Sequence, residues 1–227
     1  AWPDYPNPDV ANKVTIRQLR EHRSGIGGNI FDAPKGGTRH DIRHNRDYLQ
    51  LFVQEPLQFV PGSRQEYSNA GYVVLGLLVE RLSGEDYYAY VDRHIYSPAG
   101  MTRTAAYPPD SLPPSTAIGY TRGDEDAPPT APLRRNSDQL PGRGSAAGGG
   151  YSTAGDLARF LQALRDGKIP GGPPPGIGVA GGTQGVNAVV EGELRGGYDL
   201  VVLTNLDPPA AMRVARLVRQ WLGSGDD

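Results

Sequence analysis

Apolar positions recur with helical spacing in several stretches of the chain. Thr15 and Gln18 have the spacing of a capping box, and Ile16 and Leu19 follow while Arg20 and Arg23 keep one side wet. That pattern predicts a short helix of two turns ending at Ser24-Gly25. Asn45 is placed to cap a second helix bearing Tyr48, Leu49, Phe52 and Val53, which Pro56 stops. From about Gly71 to Leu82 the residues Val73, Val74, Leu75, Leu77, Leu78 and Val79 exceed what one face can hold, so this is the expected central buried helix. A further amphipathic helix holds Tyr87, Tyr88, Tyr90, Val91 and Ile95, and Pro98-Ala99-Gly100-Met101 closes it. Thr153 and Asp156 open another with Leu157, Phe160, Leu161 and Leu164 at i, i+3, i+4, i+7, and Gly167 stops it. The period then changes: Val186 to Glu193 and Tyr198 to Asn205 flank Gly196-Gly197 as a hairpin. Asp207-Pro208-Pro209 is expected to cap and start a last helix carrying Val214, Leu217, Val218, Trp221 and Leu222.

Composition changes this picture in one region. Of 31 Gly and 21 Pro in 227 residues, 28 fall between positions 107 and 185, where they space out a single helix. The organisation expected is one domain over 1–227, with 1–106 and 153–166 mainly helical, a loop-rich insert over 107–152, and C-terminal strands and helix over 176–227. A formal charge of −2 supplies no global field to gather nucleic acid or anionic lipid. The longest apolar stretch, Tyr72 to Val79, is too short to span a bilayer, and the residues from Ala1 have no signal-peptide pattern, so the chain reads as soluble, mature or truncated. With no cysteine, disulfides, thiolate metal sites and thiol catalysis are excluded.

Chemistry-bearing motifs are few. There is no His-Glu-x-x-His, P-loop, Gly-x-Gly-x-x-Gly after a strand, or Gly-x-Ser-x-Gly. His40 and His44 are four apart, but Arg39, Arg43 and Arg46 around them oppose a cation, so neither a metal nor a cofactor is expected. Asp124, Glu125 and Asp126 read as a solvated acidic loop. Tyr67-Ser68-Asn69 is more informative, because a turn at Pro61-Gly62-Ser63 delivers it to the start of the buried helix. A phenol there can shuttle a proton, and the Asn69 amide can both donate to and accept from an amide substrate. The plainer alternative is that Ser68 or Asn69 only caps the helix.

The order of Val14 to Leu19, Ser24-Gly25, Pro61-Gly62-Ser63, Tyr67-Ser68-Asn69-Ala70-Gly71-Tyr72, Leu82-Ser83-Gly84, Pro98 to Thr104, Ala147 to Leu157 and Val201 to Asn205 resembles the serine β-lactamase and penicillin-binding-protein superfamily, in its class C β-lactamase, D-aminopeptidase and esterase branch. The resemblance covers nearly the whole chain. It implies an α+β fold (an α/β sandwich), with an antiparallel sheet flanked by helices. It also implies a site of three elements: a Ser-x-x-Lys, a Tyr-x-Asn, and a strand bearing Lys or His before Thr, Ser or Gly and then Gly. By that resemblance Tyr67 is the proton shuttle and Asn69 orients the substrate amide or the lysine. The third element falls at Val179-Ala180-Gly181, with the Gly182 N–H as second oxyanion donor.

Four departures qualify what the resemblance implies. No serine has a lysine three residues later, the only lysines being Lys13, Lys35 and Lys168, so the chain is expected to start downstream of the nucleophile and of the family's first strands. Ser24, Ser68 and Ser152 are the nearest substitutes. Val179 stands where a cation is usual, and the stretch from Gly167 to Gly176 is short. Arg20 and Arg23 also replace the usual Leu and Thr. The expected function is an amide or ester hydrolase acting through an acyl-enzyme on a small molecule, a peptide or a β-lactam. The alternatives are a non-catalytic module binding a peptide or cell-wall fragment, or a fragment completed by another chain, since an open sheet edge also invites self-association. Family resemblance favours the periplasm or secretion.

Overall fold

The computed structural model describes residue 2 and residues 5–123, 127–137, 139–169, 178–194 and 196–223. The acidic residues Asp124 to Asp126, most of the short stretch before the glycine strand (170–177) and the last four residues lie outside them. The described chain forms two units, each with its own core.

The first unit comprises Ala1–Asp92, Ala105–Leu112 and Leu140–Tyr151. Its helices are α1 (Pro8–Lys13), α2 (Ile16–Arg20), α3 (Asn69–Ser83) and α4 (Tyr87–Val91), with a 3₁₀ helix over Asn45–Leu51. Thr15 and Gln18 form the expected capping box, although α2 stops after five residues. The long apolar run folds as α3, whose buried Ala70, Val73, Val74, Leu77 and Leu78 pack with Leu19, Ile26, Ile42, Tyr48 and Phe52 in one core. A left-handed Gly84 ends α3. Beyond α4 the expected helix continues as a π turn, Asp92–Tyr96.

Asn45 does not cap the helix it begins. It is fully buried, donates from Nδ2 to the Val73 carbonyl at 3.1 Å and accepts the Ala146 N–H at 3.0 Å. The Asp47 carboxylate instead collects the N–H groups of Arg43 and His44 at the start of this turn.

The second unit comprises Arg93–Thr104, Pro113–Gln139 and Ser152–Asp227. A short ladder pairs β1 (Tyr120–Thr121) with β2 (Arg134–Arg135). Helix α5 (Ala154–Arg165) starts where Thr153 Oγ1 accepts the Asp156 N–H. Strands β3 (Gly178–Thr183), β4 (Val186–Leu194) and β5 (Tyr198–Thr204) form an antiparallel sheet in the order β3-β4-β5, and α6 (Ala210–Trp221) follows. Alternation sorts the faces: Val189, Leu200 and Val202 meet Ala211 and Ala215 of α6, whereas Asp199 binds the α5 guanidinium of Arg165 through two 2.7 Å contacts. Helices therefore flank both faces of an antiparallel sheet, an α+β architecture. A satellite core joins Ala163 to Ala99, Met101 and Ile169. Asp207 does not cap α6. Its carboxylate accepts the N–H groups of Arg122 at 2.8 Å and Gly185 at 2.7 Å. Among the described residues no helix is long and apolar enough to cross a membrane.

Candidate functional site

In the first unit the turn at Pro61-Gly62 delivers Tyr67 to the N-terminus of α3. Ser68 is the N-cap: its hydroxyl donates to the Ile26 carbonyl at 2.6 Å and accepts the Gly71 N–H at 2.9 Å. A cap of this kind stabilises a helix by about 0.5–2 kcal/mol. Both capacities of the Ser68 hydroxyl are thus engaged, as the capping reading expected. Asn69 occupies the first helical position and Tyr67 the position before the cap. Tyr67 is 72% exposed, against 0–6% for the apolar core residues of the helix it precedes. Together with residues 26–31, Gln58, Glu66 and Ser68, the two line a cleft of about 170 Å³. Among the described residues no hydrogen bond takes up the Tyr67 hydroxyl or the Asn69 amide, so both remain available to a ligand in the cleft. The floor requires glycine at Gly28, whose φ is +99° and where a Cβ would stand 2.3 Å from that of Phe52.

A residue that the sequence reading passed over organises this corner. His22 ends α2 in the left-handed conformation, φ 55°, where glycine is usual. For a residue with a Cβ this costs roughly 1–2 kcal/mol. Its carbonyl accepts the Glu66 N–H at 2.8 Å and its Nδ1 accepts the Ser68 N–H at 3.2 Å. Its ring lies 4.5 Å from that of Tyr67 and 4.8 Å from that of Tyr72. Beside it, Arg23 donates to the Gly62 carbonyl at 2.5 Å while its own carbonyl accepts the Gly62 N–H at 2.8 Å, which fixes the turn before Tyr67. The one available signal was a histidine two positions before Ser24-Gly25, at the end of a short capped helix.

In the second unit Gly181 and Gly182 lie on β3, opposite Ala188 and Asn187. Every residue of β3 is exposed, and the strand terminates the sheet. A Cβ on Gly182 would come within 2.8 Å of the Val186 carbonyl oxygen and of the Pro208 ring, so a side chain there must displace backbone. Buried Asn187 pins the strand: its Nδ2 donates to the Gly181 carbonyl at 2.9 Å and its Oδ1 accepts the Ala211 N–H at 2.8 Å. The turn into β4 is held by the Asn136 amide on the Gln184 carbonyl and by Asp207 on the Gly185 N–H. Burial works to raise the Asp207 carboxyl, yet the Arg122 and Gly185 N–H groups and the Thr121 hydroxyl hold it below the usual carboxylate range. Val179 is 61% exposed and brings no charge to this edge.

The other serines are engaged in structure. Ser24 is buried and accepts the Ile26 N–H, and the Ser152 hydroxyl shares a 2.8 Å hydrogen bond with that of Thr104. Among the described residues no group of three or more His, Asp or Glu side chains could hold a metal ion.

Comparison with known proteins supplies the family. The Beta-lactamase family profile matches residues 1–199. A putative penicillin-binding protein, PbpX, of Bacillus subtilis is 33% identical over 167 residues, covering 74% of this chain and 38% of that protein. A putative D-alanyl-D-alanine carboxypeptidase of Escherichia coli is 27% identical over 191 residues, covering 72% of this chain and 42% of its own. The chain therefore spans about two-fifths of the length of these curated relatives. The crystal structure of a penicillin-binding protein from Bacillus halodurans superposes with a TM-score of 0.76 at 27% identity, covering 91% of this chain and 73% of that one. A D-amino acid amidase from Ochrobactrum anthropi shares the fold, with a TM-score of 0.78 at 20% identity and coverage of 98% and 77%. With a profile match over most of its length and the same fold in these structures, the chain belongs to the Beta-lactamase family of serine β-lactamase-like and penicillin-binding proteins.

Proposed function

We propose that the protein is a serine hydrolase that cleaves an amide or ester of a small molecule or peptide through an acyl-enzyme. The observation that carries this reading is the Tyr67 and Asn69 pair, set by the Ser68 cap at the mouth of a cleft with neither polar group engaged. On this reading the nucleophile is the serine of a Ser-x-x-Lys element, which no serine of residues 1–227 begins. The serine oxygen bonds to the carbonyl carbon and loses its proton to the lysine and Tyr67. The tetrahedral intermediate expels the amine or alcohol, which leaves with that proton; water then attacks the acyl carbon and gives up a proton, and the serine–acyl bond breaks to release the acid as the serine oxygen takes that proton. Asn69 orients the substrate amide, and the Gly182 N–H with the serine's own N–H holds the oxyanion. Val179 offers no charge to a substrate carboxylate, which favours esters and small peptides over carboxylate-bearing β-lactams.

The test uses the natural full-length protein with a chromogenic ester and a β-lactam. A burst on the ester is expected, and Tyr67→Phe should lower the rate by about 10²- to 10⁴-fold, the usual worth of a positioned proton-transfer group. No burst together with an unchanged rate in Tyr67→Phe would sink the mechanism. A second reading, non-covalent recognition of a peptide or cell-wall fragment, is favoured by the structural engagement of Ser24, Ser68 and Ser152. Its mark is ligand-dependent thermal stabilisation without labelling by a fluorophosphonate.

A further inference from the structure

We propose that His22 is the positioning residue for the Tyr67 phenol, acting as an uncharged imidazole that carries its proton on Nε2. The proposal rests on the reading of Tyr67 as the proton shuttle. Tyr67 is 72% exposed and therefore has little packing of its own to choose a rotamer. His22 instead engages Tyr67 and both of its chain neighbours. The His22 carbonyl accepts from Glu66, one residue before it; Nδ1 accepts from Ser68, one residue after it; and the imidazole face lies 4.5 Å from the phenol ring. A backbone N–H can only donate, so the Nδ1 that receives it must present a lone pair, which places the proton on Nε2. The Tyr72 ring stacks on the imidazole at 4.8 Å, nearly parallel at 23°. The imidazole thus contacts two phenols and cannot swing away without leaving both.

The backbone at His22 supports the same assignment. At φ 55° a glycine would serve the turn without strain, yet a side chain is kept there. Strain held at a position where a relaxed residue would fit points to a use for the side chain. The bonds that bracket Tyr67 and the tilted ring that lies against it are that use.

Two measurements test the assignment. First, imidazole nitrogen resonances of this chain should show an unprotonated Nδ1 and a protonated Nε2 for His22, with ring-current-shifted Tyr67 protons. A proton on Nδ1, or Tyr67 shifts like those of a free tyrosine, overturns the proposal without any variant. Second, three substitutions in the natural full-length protein separate the contributions. His22→Asn keeps an acceptor and tolerates the left-handed backbone, His22→Phe keeps a ring without an acceptor, and His22→Gly relieves the backbone and keeps neither. The expected order of kcat is wild type, then Asn and Phe, then Gly. The glycine variant should fall about 10- to 100-fold, the scale on which misplaced groups lose rate, while KM moves less than about threefold. If Tyr67→Phe abolishes turnover but His22→Gly leaves kcat unchanged, His22 is not the positioning residue and Tyr67 keeps its role. If Tyr67→Phe is itself silent, the shuttle reading fails, and the imidazole resonances still decide the geometry of His22.

Discussion

The corner at Tyr67 and the strand at Gly181-Gly182 are held by opposite means. Around Tyr67 the backbone is tied by a cap and by a strained histidine, and what remains adjustable is a side chain, the exposed phenol. Along β3 the side chains are nearly absent, and buried amides and a carboxylate fix the backbone itself. The difference teaches where sensitivity lies: substitutions at the first corner should change rates more than folding, and substitutions behind the second should change the position of a strand.

The largest effect expected is at the buried clamps, where that distinction is put at risk. Asn45→Ala leaves the Ala146 N–H without its partner and strips the Val73 carbonyl of its second hydrogen bond, the first belonging to the α3 ladder. Asn187→Ala leaves the buried Ala211 N–H without its partner and releases the Gly181 carbonyl from the side chain. A buried polar group left unpaired costs about 1–3 kcal/mol, so each loss read by denaturant unfolding should be of that size. Asn187→Ala should in addition weaken hydrogen-exchange protection along β3, and unchanged protection there would erase the claimed contrast. Next in size, Ser68→Ala should cost about 0.5–2 kcal/mol as a lost cap, and Thr153→Ala a similar amount in the second unit, where Thr153 caps α5. Melting of both variants measures whether the two units depend alike on their capped helices.

The smallest effects are electrostatic and run in opposite directions with pH. Burial raises the Glu80 carboxyl, against the Tyr87 N–H that lowers it, so ionising Glu80 opposes folding. Its contribution is most favourable below the unfolded carboxylate value and declines as pH rises through the raised folded value. Glu80→Gln should therefore gain stability at neutral pH and lose that advantage in acid. Asp199 is held low chiefly by the Arg165 side chain, with burial opposing. Its contribution is present above the unfolded value and disappears as pH falls through the lowered folded one. Asp199→Asn should therefore lose stability at neutral pH, by about 0.2–1 kcal/mol for a part-exposed pair, and match the parent in acid. Stability curves of the two variants that bend the same way would contradict both assignments.

Much of the fold was legible because it is written locally. Thr15 with Gln18, Ser68 with Gly71, Thr153 with Asp156, and Gly196-Gly197 between two alternating runs are each decided within a few residues. The errors arose where tertiary partners competed for a polar side chain. Asn45 and Asp207 both stand where a cap is sensible, and each is drawn instead to backbone groups far along the chain. His22 was invisible for the same reason, since the groups that give it meaning lie 44 to 50 residues on. The place of Tyr67 was legible because a turn and a helix start announce it together.

Strand β3 has one consequence of another kind. A run of Gly, Val, Ala, Gly, Gly and Thr, exposed throughout, has almost nothing by which to tell one pairing with β4 from the next. Its address along β4 is written elsewhere, by the Asn187 amide on the Gly181 carbonyl and by the Gly185 turn. A one-residue slip would swap the two faces of the strand and put Ala180 or Gly182 where Gly181 now stands, with little apolar surface gained or lost. Such an error is one of spelling rather than strength: a melting curve would pass over it, while any ligand reading the strand backbone would meet a different word.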